Sequence, residues 1–599
     1  MKYEILVKIL DELLAEAPVK YSALYPRSVS DPEKINNARS RAFIHLYLKV
    51  LFGILDFDER EKCITDGAYD GGIDGYYINE GTKQIYLIQS KFRTTEKNFE
   101  NKHIALEEVL TMDVTRVLEG EINDENGNPY NGKIKQLQRE VSNLPDVARY
   151  NYKLVLLANL PSNVSPTRLR QLAGGYAIEV FDFEKTYEKL VFPVISGTYF
   201  TASDISIPID LSNKNAGSKI SYTVRTKFGD CEITALFVPT IEIAKIMNKY
   251  KNSILQYNPR SYLELEGQSV NRAIRETILS SETNEFALYN NGITMLSDET
   301  YINEKIGQKN KAQLTVKNPQ IINGGQTSYT LSMIYETNRL YSPELIFKDK
   351  EVLLKIITLI DNKNNEDKLR LIDEISNATN KQTPVITADR FANEILHLKI
   401  QKVVFEKFGL LYERKRGEFA DGLRNNYIRS EIVIERNMFL RLFYSANGMI
   451  NKGYQKKLFQ INYFPEIDLE DGHAFDRFFI GLHVFRQLVK DKHPNRRIGR
   501  DIYAKVYVYT QLYLSEGLHT DILMLEDNLK KLEEKWKEFI QHVKAKAKDD
   551  YRRYRYHDKN RETGEFKTDF SEVAYYRSVT LEKDIVKFFG TSDLIKDTA

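Results

Sequence analysis

The sequence predicts a multidomain α/β and α chain: mixed α/β through its N-terminal and middle regions, mainly helical toward the C-terminus. Three observations carry this. The 599 residues exceed what one hydrophobic core serves, at roughly 100 to 200 residues per domain. Short β-like runs alternate with helical spacings up to about residue 360. Beyond about residue 364 the apolar residues recur at three and four positions. Hydrophobic residues at 42% and charged residues at 28% are ordinary globular usage and exclude disordered, collagen-like and disulfide-scaffold classes.

The 86 Lys and Arg nearly balance 84 Asp and Glu, for a net charge of +2, so any polyanion site must be local. Two cysteines, Cys63 and Cys231, build neither a disulfide framework nor a four-cysteine zinc site, and they fit a reducing cytoplasm. The opening MKYEILVKILDELLAEA mixes charge with apolar residues at helical spacing, unlike a signal peptide or membrane span. A cytoplasmic protein with no membrane partner is expected.

Taken in order, Ser30-Asp31-Pro32 reads as a helix start, with Asp31 as cap and proline tolerated in the first turn. Ile35, Ala38, Ala42, Leu46 and Val50 then predict a helix that buries one face. Strands are predicted at Gly72 to Asn79, Gln84 to Lys91, Tyr152 to Leu160 and Ala177 to Phe183, with helices at about 96 to 120 and 165 to 173. Ser203 to Ser221, rich in Ser, Asn and Gly, reads as a boundary. A strand at Glu232 to Val238 and a helix at Ile241 to Tyr250 follow, with glycine turns at Asn290-Asn291-Gly292 and Asn323-Gly324-Gly325. Helices are predicted at Glu366 to Thr379, Ala388 to Phe408, Glu431 to Tyr444, Phe475 to Lys490, Arg500 to Glu516 and Ile522 to Lys548.

Chemistry first appears in DGAYDGGIDGYYINEGTKQIYLIQSKF, residues 66–92. A strand ending at Lys91 puts Gln89 and Lys91 on one face with Ile85 and Leu87. Asp74 lies just before the neighbouring strand, joined through Glu80-Gly81-Thr82, and Asp70 supplies a second carboxylate. This is the kit of phosphodiester hydrolysis: oxygen ligands hold Mg²⁺ (or Mn²⁺), the ion generates hydroxide and neutralises phosphate charge, and lysine orients water or stabilises the oxyanion. The plain alternative is a hairpin with turn-forming aspartates and a surface lysine. The repeated Asp-Gly context on paired strands argues against it.

Asp74 of G-I-D-G and the Gln89-Ser90-Lys91 triplet, on a helix, hairpin, helix, strand order, resemble the PD-(D/E)XK nuclease superfamily in the glutamine version of Mrr-like restriction endonucleases. The resemblance covers roughly residues 30 to 190. It implies a restriction-endonuclease-like core, Asp74 and Gln89 as metal ligands, and Lys91 aiding the attacking water. The helix Ala38 to Gly53 carries no acidic residue where many relatives place a glutamate, which leaves Asp70, Asp66 or Glu33 as the further ligand.

Three blocks, FALYNNGITML (286–296), KNPQIINGGQTSYTL (317–331) and ISNATNKQTPVITADRFANE (375–394), combine amide side chains and glycines beside apolar strands. A Gly-Gly turn lets backbone N–H groups approach a ligand, and Asn and Gln read base edges or ribose. Asn291, Asn323, Gly324, Gly325 and Gln326 form the candidate recognition loop. The alternative is that these amides satisfy buried turns. Together the blocks look like the abortive-infection phage-resistance family, AIPR, over about residues 225 to 460. That resemblance implies a bacterial antiphage defence protein, and a nuclease-like domain in front is frequent in the family.

Two basic segments complete the reading. Arg414, Lys415 and Arg416, with Arg424 and Arg429, form a cationic run. Lys544 to Arg561 holds eight Lys or Arg against three Asp; there Arg552, Arg553 and Arg555 interleave with Tyr551, Tyr554 and Tyr556, which suits phosphate neutralisation with base stacking. A solvated helix end with inward tyrosines is the competing reading. The expected organisation is a nuclease domain at 1–200, an AIPR-like domain at 220–460 and a helical region at 461–599. The expected function is metal-dependent phosphodiester hydrolysis in antiphage defence, on DNA ahead of RNA. The C-terminal regions recognise substrate or sense infection, and a phage-derived trigger and a homo-oligomer are the further partners. The alternatives are a non-catalytic sensor of nucleic acid or phage protein with a degenerate nuclease domain, and a nucleotide-binding regulator around Asn323 to Gln326, which no P-loop pattern supports.

Overall fold

The computed structural model describes the chain except for residues 27–31, 106–111, 162–163, 200–203, 211–219, 228, 259–268, 281–282, 305–306, 308, 340–341, 361–369, 373, 376–377, 379–394, 456–457, 459–466, 491–497, 516–524, 548–554, 560–562, 565 and 591–599. It divides into two compact units: Met1–Asn393 with Lys415–Ile432, and Glu394–Arg414 with Val433–Ala599. No helix among the described residues is long and apolar enough to cross a membrane.

In the first unit, helix α1 (Lys2–Ala15) lays Leu6, Ile9, Leu10 and Leu13 inward at three- and four-residue spacing. It packs on α2 (Pro32–Phe52), and Arg39 clamps Asp11 with Nε and Nη2 at 2.7 and 2.9 Å. The sequence predicts one buried face on α2. The structure buries Ile44, His45 and Leu48 as well as Ala38, Ala42, Leu46 and Val50, because the helix lies between α1 and a sheet. The short helix α3 (Phe57–Lys62) follows, capped by Asp56.

That sheet holds β1 (Gly75–Asn79), β2 (Gln84–Ser90), β3 (Asn151–Leu157) and β4 (Ala177–Val180) in sequential order. β1 and β2 are an antiparallel hairpin, while β3 and β4 run parallel to β2. Parallel return needs a crossover, supplied here by α4 (Glu96–Asn101) and the helices Val114–Leu118 and Gly132–Ser142. Ile85, Leu87, Leu154 and Leu156 face Ile134, Leu137 and Val141 of the last helix. α2 packs tightly on Gly75: a Cβ there would stand 3.0 Å from Ile44 Cγ2 and 3.2 Å from the Cys63 carbonyl.

The same unit continues with β5 (Asp204–Asp210), β6 (Ile220–Thr226), β7 (Gly229–Pro239), β8 (Ile293–Ser297), β9 (Glu299–Asn303), β10 (Lys311–Lys317), β11 (Gln320–Asn323) and β12 (Glu351–Ile360). They form a five-stranded sheet of order β11-β8-β12-β7-β6 and a three-stranded sheet of order β5-β10-β9. One core, including Val238, Ile243, Met247, Ile293, Leu314, Leu331 and Leu354, joins both sheets to the helices Thr240–Tyr250 and Gly325–Thr337.

The second unit is mainly helical, with Ile395–Phe408, Arg436–Ala446, Gly472–Val489, Arg500–Ser515, Leu525–Ala547 and Leu581–Phe589 as its main helices. Phe439 packs on Tyr412, Phe443, Phe475 and Phe478. The predicted helix from Glu431 starts later: Val433–Glu435 is strand β14, paired in parallel with β13 (Leu411–Glu413). Strand pairing of Val433 and Ile434 overrides their place in a helical repeat. The helix predicted to Lys548 is described to Ala547, and Arg555–Lys559 (β15) pairs antiparallel with Phe566–Phe570 (β16).

Candidate metal centre

Three carboxylates meet where the chain enters β1. One oxygen each from Asp66, Asp70 and Asp74 lies within 4.8 Å of the others. Backbone hydrogen bonds bring them together: the amides of Thr65 and Asp66 both donate to the Asp74 carbonyl at 3.0 Å, folding residues 66–74 into a closed loop. Asp70 sits in its bend and accepts from Gly67 N and Gly72 N at 3.0 and 2.9 Å. Asn131, which caps the helix Gly132–Ser142, supports the loop from below by donating Nδ2 to the Thr65 carbonyl at 3.0 Å.

β2 brings the rest. Asp74 N donates to the Ile88 carbonyl at 2.8 Å, and Ser90 N donates to Asp74 Oδ2 at 2.6 Å, so Asp74 lies against the Gln89-Ser90-Lys91 stretch. Gln89 is 3% exposed. Lys91 continues β2 past its last residue, its amide donating to the Leu157 carbonyl at 3.1 Å. The structure thus gathers Asp74, Asp70, Gln89 and Lys91 at one sheet edge and adds Asp66. Glu33 is exposed in the first turn of α2 and outside the carboxylate group.

Burial pushes Asp74 up to about 7, with the Asp70 and Asp66 charges adding to it against the Ser90 amide and Lys91. Asp70 is also raised, by burial first and by Asp66. Two raised carboxyls crowded beside a third carboxylate are what a hard divalent cation relieves.

The cluster is supported from α2 by Arg41 and His45, four residues apart on one helix face among the apolar Ala42, Phe43, Ile44 and Leu46, and that spacing is the one signal for it in the sequence. Arg41 Nη1 donates to the Asp66 carbonyl and Oδ2 at 2.8 and 3.1 Å, while Nη2 donates to Glu61 Oε1 at 2.9 Å. Burial raises Glu61, but hydrogen bonds from His45 and Tyr25 and the Arg41 charge outweigh it and hold the carboxyl low. Burial pushes His45 down to about 4. Arg60 Nε donates to His45 Nδ1 at 3.2 Å, which leaves the neutral ring's proton on Nε2, facing Glu61 Oε2 at 3.2 Å.

The amide blocks are built differently. Asn290 Oδ1 accepts from Gly292 N at 2.9 Å, its Nδ2 donates to Thr327 Oγ1 at 3.1 Å, and Asn323 Oδ1 accepts from Gly324 N at 2.7 Å. These side chains close turns. Gly292 and Gly324 have φ of +84° and +82°; a Cβ on Gly292 would stand 2.8 Å from the Leu353 carbonyl, and one on Gly324 3.0 Å from the Gly292 carbonyl. Gly325, paired with Gly324 in the predicted turn, opens the helix Gly325–Thr337 instead. Asn291 is exposed, and Gln326 lies half-buried in the helix's first turn. Residues 379–394 of the third block lie outside the described residues.

Residues 255–551 match the AIPR protein family. The AIPR match spans just under half of the chain, includes all three amide blocks, and supports placing this region with the family. Residues 1–254, with the carboxylate cluster, lie outside it. No curated protein and no solved structure matches the chain.

The basic segments fare unequally. Lys415 is corrected as a phosphate contact: it is 4% exposed, and its ammonium donates to the Leu255 and Gln256 carbonyls at 3.3 and 2.6 Å. Arg424 is likewise engaged, with Tyr329 Oη at 2.7 Å and Asp421 at 2.8 Å. Arg414 and Arg416 are half-buried, and Arg429 is exposed. Arg552, Arg553 and Tyr554 lie outside the described residues; Arg555 opens β15 opposite Phe570.

Proposed function

We propose that the N-terminal region is a Mg²⁺- or Mn²⁺-dependent phosphodiester hydrolase within an antiphage protein of AIPR type. The observation that carries this is the meeting of Asp66, Asp70 and Asp74 within 4.8 Å, against a strand that delivers Gln89 and Lys91. The donors are all hard oxygens, as Mg²⁺ and Mn²⁺ prefer, and the raised Asp74 marks a carboxyl group poised to exchange a proton for a cation. Asp74, Asp70 and Asp66 would hold the ion, with Gln89 contributing an amide oxygen. Bound there, it supplies Lewis acidity toward phosphate and water. Lys91 orients the attacking water and stabilises charge on the phosphoryl oxygens. The AIPR match supports the antiphage setting, and DNA is the favoured substrate by the resemblance of the D…QxK residues.

One observation favours a second reading, a non-catalytic sensor. Helix α2 faces the cluster with Arg41, a cation that already neutralises Asp66, where a hydrolase of this kind often adds a carboxylate. Incubating the full chain with plasmid, linear duplex and RNA, with Mg²⁺ or EDTA, separates the two. Metal-dependent cutting supports the hydrolase; binding without cutting under every metal condition supports the sensor.

A further inference from the structure

We propose that the rim of the narrow cleft at the carboxyl ends of β2 and β3, which itself has room for little more than a water molecule, binds the phosphodiester backbone of a polynucleotide across its surface, with Lys91, Arg93 and Lys102 as the cationic contacts. The proposal rests on the hydrolase reading for where the scissile bond lies, though not for binding itself. The cleft is lined by Phe43, Phe99, Asn159, Phe181 and these three cations among others, and among the described residues no carboxylate lines it. Three cations on one rim, with no carboxylate there among the described residues, contrast with the near balance of charge along the chain. Arg93 and Lys102 have no ion pair among the described residues, so their charges are available to an anion.

Position supports the same ligand. In open α/β sheets, ligands sit outside the carboxyl ends of parallel strands, and β2 and β3 are such a pair. The cleft adjoins the carboxylate cluster through one residue step: Ser90 N holds Asp74 Oδ2, and Lys91 lines the cleft. A cation site and an anion site are therefore adjacent, as phosphodiester hydrolysis requires.

The rim is rigid. Asn159 is 9% exposed; its Nδ2 donates to the Phe99 carbonyl at 2.7 Å and its Oδ1 accepts from Phe183 N at 2.8 Å. Ile104 N donates to the Asn159 carbonyl at 2.9 Å, fixing the segment that carries Lys102. Tyr3 Oη donates to the Arg93 carbonyl at 2.8 Å, and Phe92 packs against Phe43 and Phe99. The two cationic side chains thus leave anchored backbone, which lowers the ordering cost of gripping a phosphate.

The test is equilibrium binding of the full chain to duplex DNA, single-stranded DNA and RNA in EDTA, where nothing is cut, across a salt series. Arg93→Gln with Lys102→Gln should weaken the preferred polymer at least tenfold and lower the slope of log affinity against log salt by roughly 2, since each duplex phosphate contact releases about 0.9 counterion. Exposed Lys102→Gln alone should lower it by about 1, and Arg93→Lys should restore most of it. Mn²⁺ binding to the double variant should match wild type, showing an intact fold and cluster. An unchanged slope in both Gln variants, or no polymer bound by wild type, overturns the proposal. Wild type that binds with this slope yet never cuts removes the hydrolase and leaves the cleft; cutting with an unchanged slope removes the cleft and leaves the hydrolase.

Discussion

Arg41 Nη1 donates to both the main-chain oxygen and the Oδ2 of Asp66, at 2.8 and 3.1 Å. The same guanidinium reaches buried Glu61 at 2.9 Å, so one side chain ties the mouth of the carboxylate loop to the charged interior beneath it. Removing a partner from a buried pair leaves an uncompensated charge. Arg41→Ala should therefore cost about 3 kcal/mol in urea unfolding. Arg41→Lys should recover only part of this, because an ammonium cannot span Asp66 and Glu61 as a planar fork does. A loss below about 0.5 kcal/mol for Arg41→Ala, the range of ordinary surface changes, would show that Glu61 does not depend on this cation.

Asp74 predicts a pH dependence with a definite sign. Its carboxyl ionises near 3.8 when unperturbed and at about 7 in the fold, so between those values the folded state holds a proton the unfolded chain has lost. Stability from this group is complete below about pH 4 and is lost as pH rises toward 7. Melting of metal-free protein at pH 5 and pH 8 should show Asp74→Asn gaining on wild type at the higher pH, by about 2 kcal/mol. Mn²⁺ should then stabilise wild type at pH 8 and not the variant. An equal offset at both pH values would mean Asp74 titrates normally.

Gly292 and Gly120 share a left-handed φ, +84° and +80°, but a Cβ on Gly120 meets nothing within 4 Å while one on Gly292 meets the Leu353 carbonyl at 2.8 Å. Gly120→Ala should cost about 1 kcal/mol from backbone strain alone. Gly292→Ala should cost a further 1 to 3 kcal/mol, roughly, for overpacking. Equal losses in thermal unfolding would show that β8 and β12 part easily at this point.

How far these features could be read from sequence depends on their range. The β1–β2 hairpin and the helix Thr240–Tyr250 follow from alternation, a glycine turn and three- and four-residue spacing. Asp70, Asp74, Gln89 and Lys91 are within 22 positions of one another in sequence, and strand pairing alone brings most of them together. Spacing alone leaves Asp66 level with Asp70 and Glu33 as the further ligand. The place of Asp66 depends on the Asp74 carbonyl and on Asn131, 65 positions away. Lys415 reads as surface charge because nothing local reveals that the carbonyls of Leu255 and Gln256 reach its ammonium. The second buried face of α2 was hidden for the same reason, since α1 covers it only in three dimensions.

Lys415 separates structure from binding. Lys415→Met leaves the buried Leu255 carbonyl and the part-buried Gln256 carbonyl without their donor and should destabilise by about 2 kcal/mol, while the salt dependence of nucleic-acid binding stays as in wild type. A slope lowered by about 1 at unchanged stability would return Lys415 to the phosphate contacts.

Hydrolysis at the Asp66–Asp70–Asp74 cluster with Lys91 beside it is decided by cleavage assays on single-site variants. Wild type should cut plasmid or linear DNA with Mg²⁺ or Mn²⁺ and stop in EDTA. Asp74→Ala should abolish both cutting and Mn²⁺ binding. Lys91→Ala should abolish cutting while Mn²⁺ binding and the circular dichroism spectrum stay unchanged. Wild-type cutting rates in both folded variants would contradict the account.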